Sequence, residues 1–311
     1  MKKIAYLVSA VVAGLGFSTA AQADVSVSGS GGLEVLSAGS TSTVYQGGSV
    51  SFALSTTTDA GVTISASANL TNDPDAAGQN MSASGMTSLT FGFANGSITL
   101  ADDVAVPGTG KVGELVGHAD SNQVTHTNDV ALAFDDGSGI SASTSIGDMT
   151  LSGAYFYDGS HGSDIDGGTS DGAGISLAMP IMGGTLTLAS ATVDSGSAEN
   201  SASGASFVMP VSGGTLSLGV YTTDGDTAAN EGEAMSVAYA TSVGGASVSV
   251  GYTGYDANSN TSSMTDVVVS TSIGGGASIF AEYSNLTGAG AAAAAATTAE
   301  GVIAVGTSVS F

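Results

Sequence analysis

Acidic side chains concentrate in one stretch of the chain, between residues 102 and 120. The stretch contains a single cation, Lys111, and four carboxylates: Asp102, Asp103, Glu114 and Asp120. Grouped carboxylates raise the local concentration of cations and repel anions. These residues therefore predict attraction of cations, although solvation of each acid in an ordinary loop is an equally open interpretation.

Three more carboxylates lie within segments that alternate polar and apolar residues: Glu34, Asp129 and Glu282. Successive side chains of a strand point to opposite faces. The apolar face would carry their neighbours Leu33, Val35, Val130, Leu132, Ile279 and Tyr283. The three acids are therefore predicted to lie on the polar face, which in a wide barrel lines a water-filled lumen.

Catalytic chemistry has little support. The histidines are His118, His126 and His161, and none has the spacing of a metal site or of a nucleophile with its base. His161 stands two residues before Ser163, but serine is so abundant here that the pairing is expected by chance. The sequence therefore predicts no enzymatic activity and no cofactor.

One glycine-rich acidic segment has the hard oxygen ligands that Ca²⁺ prefers: Asp164, Asp166 and Asp171. Their spacing matches neither the EF-hand loop nor the glycine-rich calcium repeat. Weak Ca²⁺ binding and plain solvation of an acidic loop both remain open.

Residues 1–23 have the features of a secretory signal peptide. Lys2 and Lys3 precede an apolar region from 4 to 17, and Ala21-Gln22-Ala23 fits the small-residue cleavage site. The alternative, an N-terminal membrane anchor, is disfavoured because the apolar region is short and interrupted by glycine. We predict a signal peptide over 1–23 and one domain over 24–311.

The charge of that domain excludes some partners. It contains 27 acidic residues and one basic residue, Lys111, which gives a formal charge of −26, and the chain contains no arginine. Nucleic-acid binding needs cationic side chains against phosphates and is therefore excluded. Cysteine is absent, so disulfides and thiolate metal sites are excluded too. Few charges on an apolar-leaning chain favour a surface that faces lipid.

Period-two alternation recurs along the chain, as in Val50, Phe52 and Leu54 between serines. Seven glycine-containing turns separate such runs, and they lie within 59–61, 95–97, 144–147, 179–186, 209–216, 241–244 and 271–274. Glycine and asparagine accept the positive φ of tight hairpins. Eight longer polar segments alternate with these turns, at 39–46, 72–85, 103–127, 158–172, 194–202, 223–232, 254–265 and 285–299. The count predicts sixteen antiparallel strands, with one strand through residues 128–145.

The C-terminal strand has one apolar and one small face. Ile303, Val305 and Val309 alternate with Ala304 and Gly306. A closed barrel removes the exposed edge that such a strand would leave, whereas the last strand of a β-sandwich is the alternative. Gly306, Val309 and Phe311 together resemble the C-terminal assembly signal of Gram-negative outer-membrane barrels. Interfacial aromatic residues are scarce, and the expected ones are Phe156, Tyr239, Tyr252, Tyr283 and Phe311.

The segment from Phe91 to Asp103, which reads FGFANGSITLADD, resembles the hairpin of general-diffusion porins that leads into their third loop. The resemblance implies a sixteen-stranded trimeric barrel in a Gram-negative outer membrane, with residues 103–127 folded inward as the constriction. It also implies passive diffusion of small hydrophilic solutes. Family members usually oppose the acidic third loop with arginines, which this chain lacks.

We therefore predict an all-β, antiparallel transmembrane barrel that acts as a cation-preferring porin among outer-membrane lipids. Two other classes stay open at this point. A surface-exposed β-rich adhesin or solenoid would share the Gly, Ser and Thr content but would keep one repeat length throughout. A solute-specific channel would share the whole organisation.

Overall fold

The strands form one closed antiparallel sheet. The computed structural model describes residues 24–38, 41–72, 81–101, 104, 138–158, 170–194, 199–225, 231–257, 260–288 and 301–310. The strands are β1 (Asp24–Ala38), β2 (Thr41–Thr57), β3 (Thr63–Asn72), β4 (Met81–Phe93), β5 (Gly96–Ala101), β6 (Ser138–Ile146), β7 (Met149–Asp158), β8 (Ser170–Ile181), β9 (Gly184–Asp194), β10 (Glu199–Val211), β11 (Gly214–Gly225), β12 (Gly232–Val243), β13 (Ala246–Ala257), β14 (Asn260–Gly274), β15 (Ala277–Gly288) and β16 (Val302–Ser310).

Each strand pairs with its neighbours in sequence, and β1 pairs with β16 to close the barrel. The closing register runs from Ser30 opposite Ser310 to Ala38 opposite Val302. This closure leaves no edge strand, so the backbone groups of both terminal strands are paired. The prediction of a sixteen-stranded all-β barrel is confirmed. Among the described residues, no helix is long and apolar enough to cross a membrane.

Six of the seven tight connections overlap the predicted glycine-containing turns, and the seventh lies just beyond its prediction, because residues 271–274 end β14 and the turn before β15 lies at 275–276. Two of them place a residue other than glycine in the left-handed region, Met182 at φ 52° and Ser212 at φ 48°. Glycine follows in each case, with φ near 80° at Gly183 and Gly213. Positive φ at both central positions marks the hairpin turn whose twist matches the flanking strands. The repeated Met-Pro-x-x-Gly-Gly segments therefore encode two equivalent hairpins, β8–β9 and β10–β11.

The loop-side ends of the strands differ from the sequence prediction. Several residues assigned to long polar segments belong to strands, namely 41–46 of β2, 199–202 of β10, 254–257 of β13 and 260–265 of β14. Serine and threonine pair across these strands, as in the 2.9 Å hydrogen bond between the hydroxyls of Ser263 and Thr287. Strand pairing can therefore continue beyond the apolar part of each strand. The polar composition of these ends is also typical of loops, so the sequence prediction ended the strands too early. Strand β6 begins at Ser138, and residues 128–137 lie outside the described residues.

The two faces of the sheet differ in the way that alternation predicts. Along β12, the exposed side chains of Met235 and Val237 alternate with the buried Ala234, Ser236 and Ala238. Cross-strand partners point the same way, so the register extends this assignment around the barrel. The outer face carries most of the exposed large apolar side chains, and the inner face carries small and polar ones. This distribution suits lipid outside and water inside.

Replacing Met182 with asparagine is expected to raise the free energy of unfolding by about 1 kcal/mol, because asparagine tolerates the left-handed conformation better than methionine does. The Met182 side chain is 86% exposed and loses little packing on replacement. Equilibrium unfolding in denaturant, with the protein in lipid vesicles, measures the change. Ala60→Asn is the control, since this turn residue has no positive φ. An equal gain in the control would contradict the explanation.

Candidate pore lumen

Hydroxyl groups line much of the inner wall. They form cross-strand hydrogen bonds between Ser30 and Ser49 (3.0 Å), Ser67 and Ser88 (3.0 Å), Thr90 and Thr99 (2.9 Å), Ser97 and Ser143 (3.1 Å), and Ser278 and Ser308 (2.6 Å). A hydroxyl can donate and accept. The inner wall can therefore hydrogen-bond to water and to hydrophilic solutes without carrying charge.

Three inward aromatic side chains stand directly opposite glycines of the next strand. The pairs are Phe156 with Gly172, Tyr221 with Gly204, and Phe280 with Gly306. An added Cβ on Gly306 would lie 2.6 Å from Cε1 of Phe280. The same addition on Gly172 would collide with the ring of Phe156. Glycine thus lets the rings lie along the wall, as in the aromatic covering of sheet glycines.

Phe156 therefore corrects one prediction. It was predicted to be an interfacial aromatic residue, whereas it is buried on the inner face, on the side opposite the exposed Tyr155. Tyr155 and Phe156 place aromatic side chains on opposite faces, so alternation in hydropathy could not orient this segment. Tyr252 and Tyr283 do face outward and are exposed. Tyr239 shares the outer face by register and donates its hydroxyl to the carbonyl of Val211 at 3.2 Å.

The inner face of four neighbouring strands, β14, β15, β16 and β1, carries three carboxylates. Glu34, Asp266 and Glu282 are each at most 4% exposed. We call them the acidic arc. Glu34 lies opposite Gly306 of β16, and Glu282 lies opposite Ala304 of the same strand. These small residues place little side-chain volume between the two glutamates.

Strands β14 and β15 contribute a further contact within the arc. Asp266 lies opposite Ser284, whose hydroxyl donates to Oε1 of Glu282 at 3.2 Å. The described part of the chain contains no lysine, arginine or histidine. No basic side chain of the described wall therefore neutralises the arc. Within the same residues, no three His, Cys, Asp or Glu side chains are grouped closely enough to hold a metal ion.

On the facing side of the barrel, the inner wall carries an apolar cluster. It combines Val104, the residue described after β5, with buried inner-face residues of strands β7 to β12, namely Ala154, Phe156, Ala191, Val193, Ala202, Tyr221 and Ala234. Because these partners point inward, Val104 lies inside the barrel. This is the direction predicted for the third loop, whose residues 105–127 lie outside the described part.

Solved outer-membrane barrels superpose on nearly the whole chain. The in-vitro folded trimer form of OmpT, an outer membrane protein of Vibrio cholerae, matches with a TM-score of 0.73 at 12% identity, covering 93% of this chain and 99% of that one. A triple mutant of Rh. blastica porin matches with a TM-score of 0.68 at 16% identity, covering 93% and 100%. A porin refined at 1.8 Å gives 0.67 at 16% identity, with the same coverage.

The chain has the fold of the sixteen-stranded porins. The resemblance predicted from the sequence is confirmed at the level of the fold, and with it the location in a Gram-negative outer membrane. No protein-family model and no curated protein sequence matches the chain. Identities this low show a common fold and leave the activity to be argued from the site.

The structure describes only part of the predicted site. Glu34 and Glu282 lie on the inner face, where alternation placed them. Asp171 points outward from β8 and accepts a hydrogen bond from the Tyr155 hydroxyl at 3.1 Å. Gly306 is buried on the inner face and Val309 is exposed on the outer face. The following predicted residues lie outside the described residues: Asp102, Asp103, Lys111, Glu114, His118, Asp120, His126, Asp129, His161, Asp164, Asp166 and Phe311.

Asp266 was missed by the sequence analysis. The polar run that precedes it was assigned to a loop, and the three consecutive valines after it, 267 to 269, hide the period of two. One pattern in the sequence could have identified it, since Val267, Val269 and Ile273 all fall on the same face of a strand. If those residues face lipid, Asp266 has to face the lumen.

Replacing Gly306 with alanine is expected to lower the free energy of unfolding by about 1–3 kcal/mol, because the new methyl group overlaps the Phe280 ring and lies 2.7 Å from the carbonyl oxygen of Leu33. The double variant Gly306→Ala with Phe280→Leu should recover the part of this loss that comes from the ring, whereas the contact with the Leu33 carbonyl remains. Gly153→Ala is the matched control, since its Cβ would meet only the carbonyl oxygen of Gly174 at 3.6 Å. Equilibrium unfolding measures all three, and equal losses at Gly306 and Gly153 would contradict the explanation.

Proposed function

We propose that the chain forms a water-filled channel through which small hydrophilic solutes diffuse passively across the outer membrane, with a preference for cations. The observation that carries the proposal is the described inner wall, which bears hydroxyl groups and the acidic arc and no basic side chain. Sixteen strands enclose a lumen too wide for side chains to fill. Such a channel needs no cofactor and no catalytic group.

The preference for cations follows from the sign of the charge. A monovalent cation in water about 8 Å from one carboxylate gains about 0.5 kcal/mol by Coulomb's law, which is about a twofold increase in local concentration. An anion loses as much. The three carboxylates of the arc act in the same direction. The acids at 102, 103, 114 and 120, which the resemblance places on or beside the constriction loop, would add to the effect, as would Asp129, which alternation places on the lumen face.

The oligomer belongs to the same proposal. We infer a homotrimer, because the fold is that of the sixteen-stranded porins and one matching barrel was solved in a trimer form. Closure of single channels in groups of three, recorded from one inserted particle, would support the trimer. Weak Ca²⁺ binding at the acidic loop that ends in Asp171 remains a proposal of the same kind, testable by isothermal titration.

Neutralising the arc is expected to reduce selectivity. The variant Glu34→Gln, Asp266→Asn, Glu282→Gln should lower the ratio of K⁺ to Cl⁻ permeability by about fourfold for each charge removed, because each carboxylate changes the cation and the anion concentration about twofold in opposite directions. The reversal potential in a planar bilayer under a KCl gradient measures the ratio. Asp224→Asn is the control, because this residue is exposed on the outer face opposite Ser201. Unchanged selectivity in the triple variant would exclude the arc as its source. Absence of conductance from correctly folded wild-type protein would overturn the channel itself.

The dependence of selectivity on salt concentration tests independently whether fixed charge causes it. The Debye length is about 10 Å at 0.1 M salt and about 3 Å at 1 M. A permeability ratio that depends on fixed carboxylates should therefore approach one as the mean KCl concentration rises through this range. The same reversal-potential measurement, at a constant ratio of the two KCl concentrations, follows the change. A ratio independent of salt would indicate selection by size or by direct coordination.

A further inference from the structure

A groove of about 690 Å³ opens on the outer face across strands β4 to β8, in the half of the barrel nearest to the turns. Its floor is formed by the small outward residues Ala142 and Gly153, and its walls include the exposed side chains of Phe93 and Ile175. An added Cβ on Gly153 would meet only the carbonyl oxygen of Gly174, at 3.6 Å. The floor is therefore open to the side chains of another molecule.

The carboxylates of the outer face are confined to one sector of the barrel. Within the described strands, every carboxylate exposed on the outer face lies on β8 to β13, and these residues are Asp171, Asp194, Glu199, Asp224, Glu233 and Asp256. They stand near the loops, at the end of the apolar belt, which is the band of outward apolar residues that extends from there to the turns. The described outer face of β14 to β16 and of β1 to β7 has no carboxylate.

This distribution limits where one copy of the chain can contact another. The described residues contain no basic side chain. A contact between two acid-bearing sectors would therefore place like charges against each other without compensation. Strands β14 to β16 and β1 to β7 can approach a second copy without that repulsion, and the groove lies mostly within them.

A threefold ring adds a geometric condition. Each copy meets its two neighbours through different patches, whose directions are about 60° apart, which corresponds to about three strands of the sixteen. The groove is centred near β6, so the complementary patch lies near β3 or near β9. Strand β9 belongs to the acid-bearing sector. On the other side, β2 and β3 present Phe52, Leu54 and Ile64 from their turn-side halves, with Phe52 and Leu54 36% and 43% exposed.

We propose that this groove is the contact site for a second copy of the chain, with the patch on β2 and β3 of one barrel packed into the groove of the next. Phe52 and Leu54 of one copy lie over Ala142 and Gly153 of its neighbour, and the acid-bearing sector stays on the perimeter of the ring. The inference rests on the trimer proposed above and names the surfaces that form it.

Cysteine cross-linking tests the pairing, because the chain has no cysteine of its own. In the variant Leu54→Cys, Ala142→Cys, a short bis-maleimide applied to the protein in lipid vesicles should join copies into covalent dimers and trimers. Within one barrel the two positions are four strands apart, about 19 Å at the usual strand spacing. The control is Leu54→Cys, Leu188→Cys, which moves the second cysteine to an exposed position on β9 and should give no covalent oligomer.

Filling the groove provides a second measurement. Gly153→Phe should convert the trimer into monomers in mild detergent, as recorded by native mass spectrometry, because the new ring occupies the place of the neighbour's side chains. Ala205→Phe is the matched control, since it enlarges a small outward residue of β10 in the acid-bearing sector and should leave the trimer intact. Single-channel conductance of both variants verifies that the barrels fold and conduct.

The outcomes separate this proposal from the channel itself. A wild-type trimer that gives no cross-link, or equal cross-linking in the control, would overturn the proposed surface and leave the trimer and the channel standing. Monomeric wild-type protein that conducts would overturn the surface together with the trimer. A trimer that survives Gly153→Phe while a bound lipid is displaced would assign the groove to an acyl chain and overturn the proposal as well.

Discussion

The hydrogen bonds between β1 and β16 are the constraint on which the rest of the structure depends. Every backbone group inside a bilayer must find a partner within the protein, because each unsatisfied one costs several kcal/mol. The register from Ser30 and Ser310 to Ala38 and Val302 closes the sheet and meets this requirement. Once closed, the sheet separates two solvents, and the period of two assigns each side chain to one of them.

Separation of the solvents explains how so acidic a chain can form a membrane protein. Glu34, Asp266 and Glu282 point inward, and the acids of the outer face stand near the loops, as Glu233 and Asp256 do beside the end of the apolar belt. The outer face nearer the turns is left to residues such as Val237, Leu218 and Val305. The same alternation therefore serves membrane insertion and the polarity of the lumen.

Local patterns predicted much of this fold, because they report on backbone geometry. Glycine-containing turns marked six of the seven tight hairpins and the strand end just before the seventh, and parity placed Glu34 and Glu282 on the inner face. The ends of the strands were harder to predict. Ser263 and Thr287 pair across two strands, but the same residue types are equally suited to a solvated loop. At Phe156 and at the valines after Asp266, alternation could not assign side chains to a face, because apolar residues occupy both faces there. The pairing of each ring with a glycine depends on register between strands, which no single segment contains.

Phe280 and Gly306 show what this dependence on register means for the C-terminal strand. The glycine belongs to the segment that resembles an assembly signal, and its missing side chain is also the space that the ring on β15 occupies. The same position thus belongs to the segment that resembles an assembly signal and to the space in which the ring of the neighbouring strand packs. A chimaera that received β16 from another barrel would inherit a mismatch at this point. The unit that can be exchanged between barrels is the final hairpin, with both strands moved together.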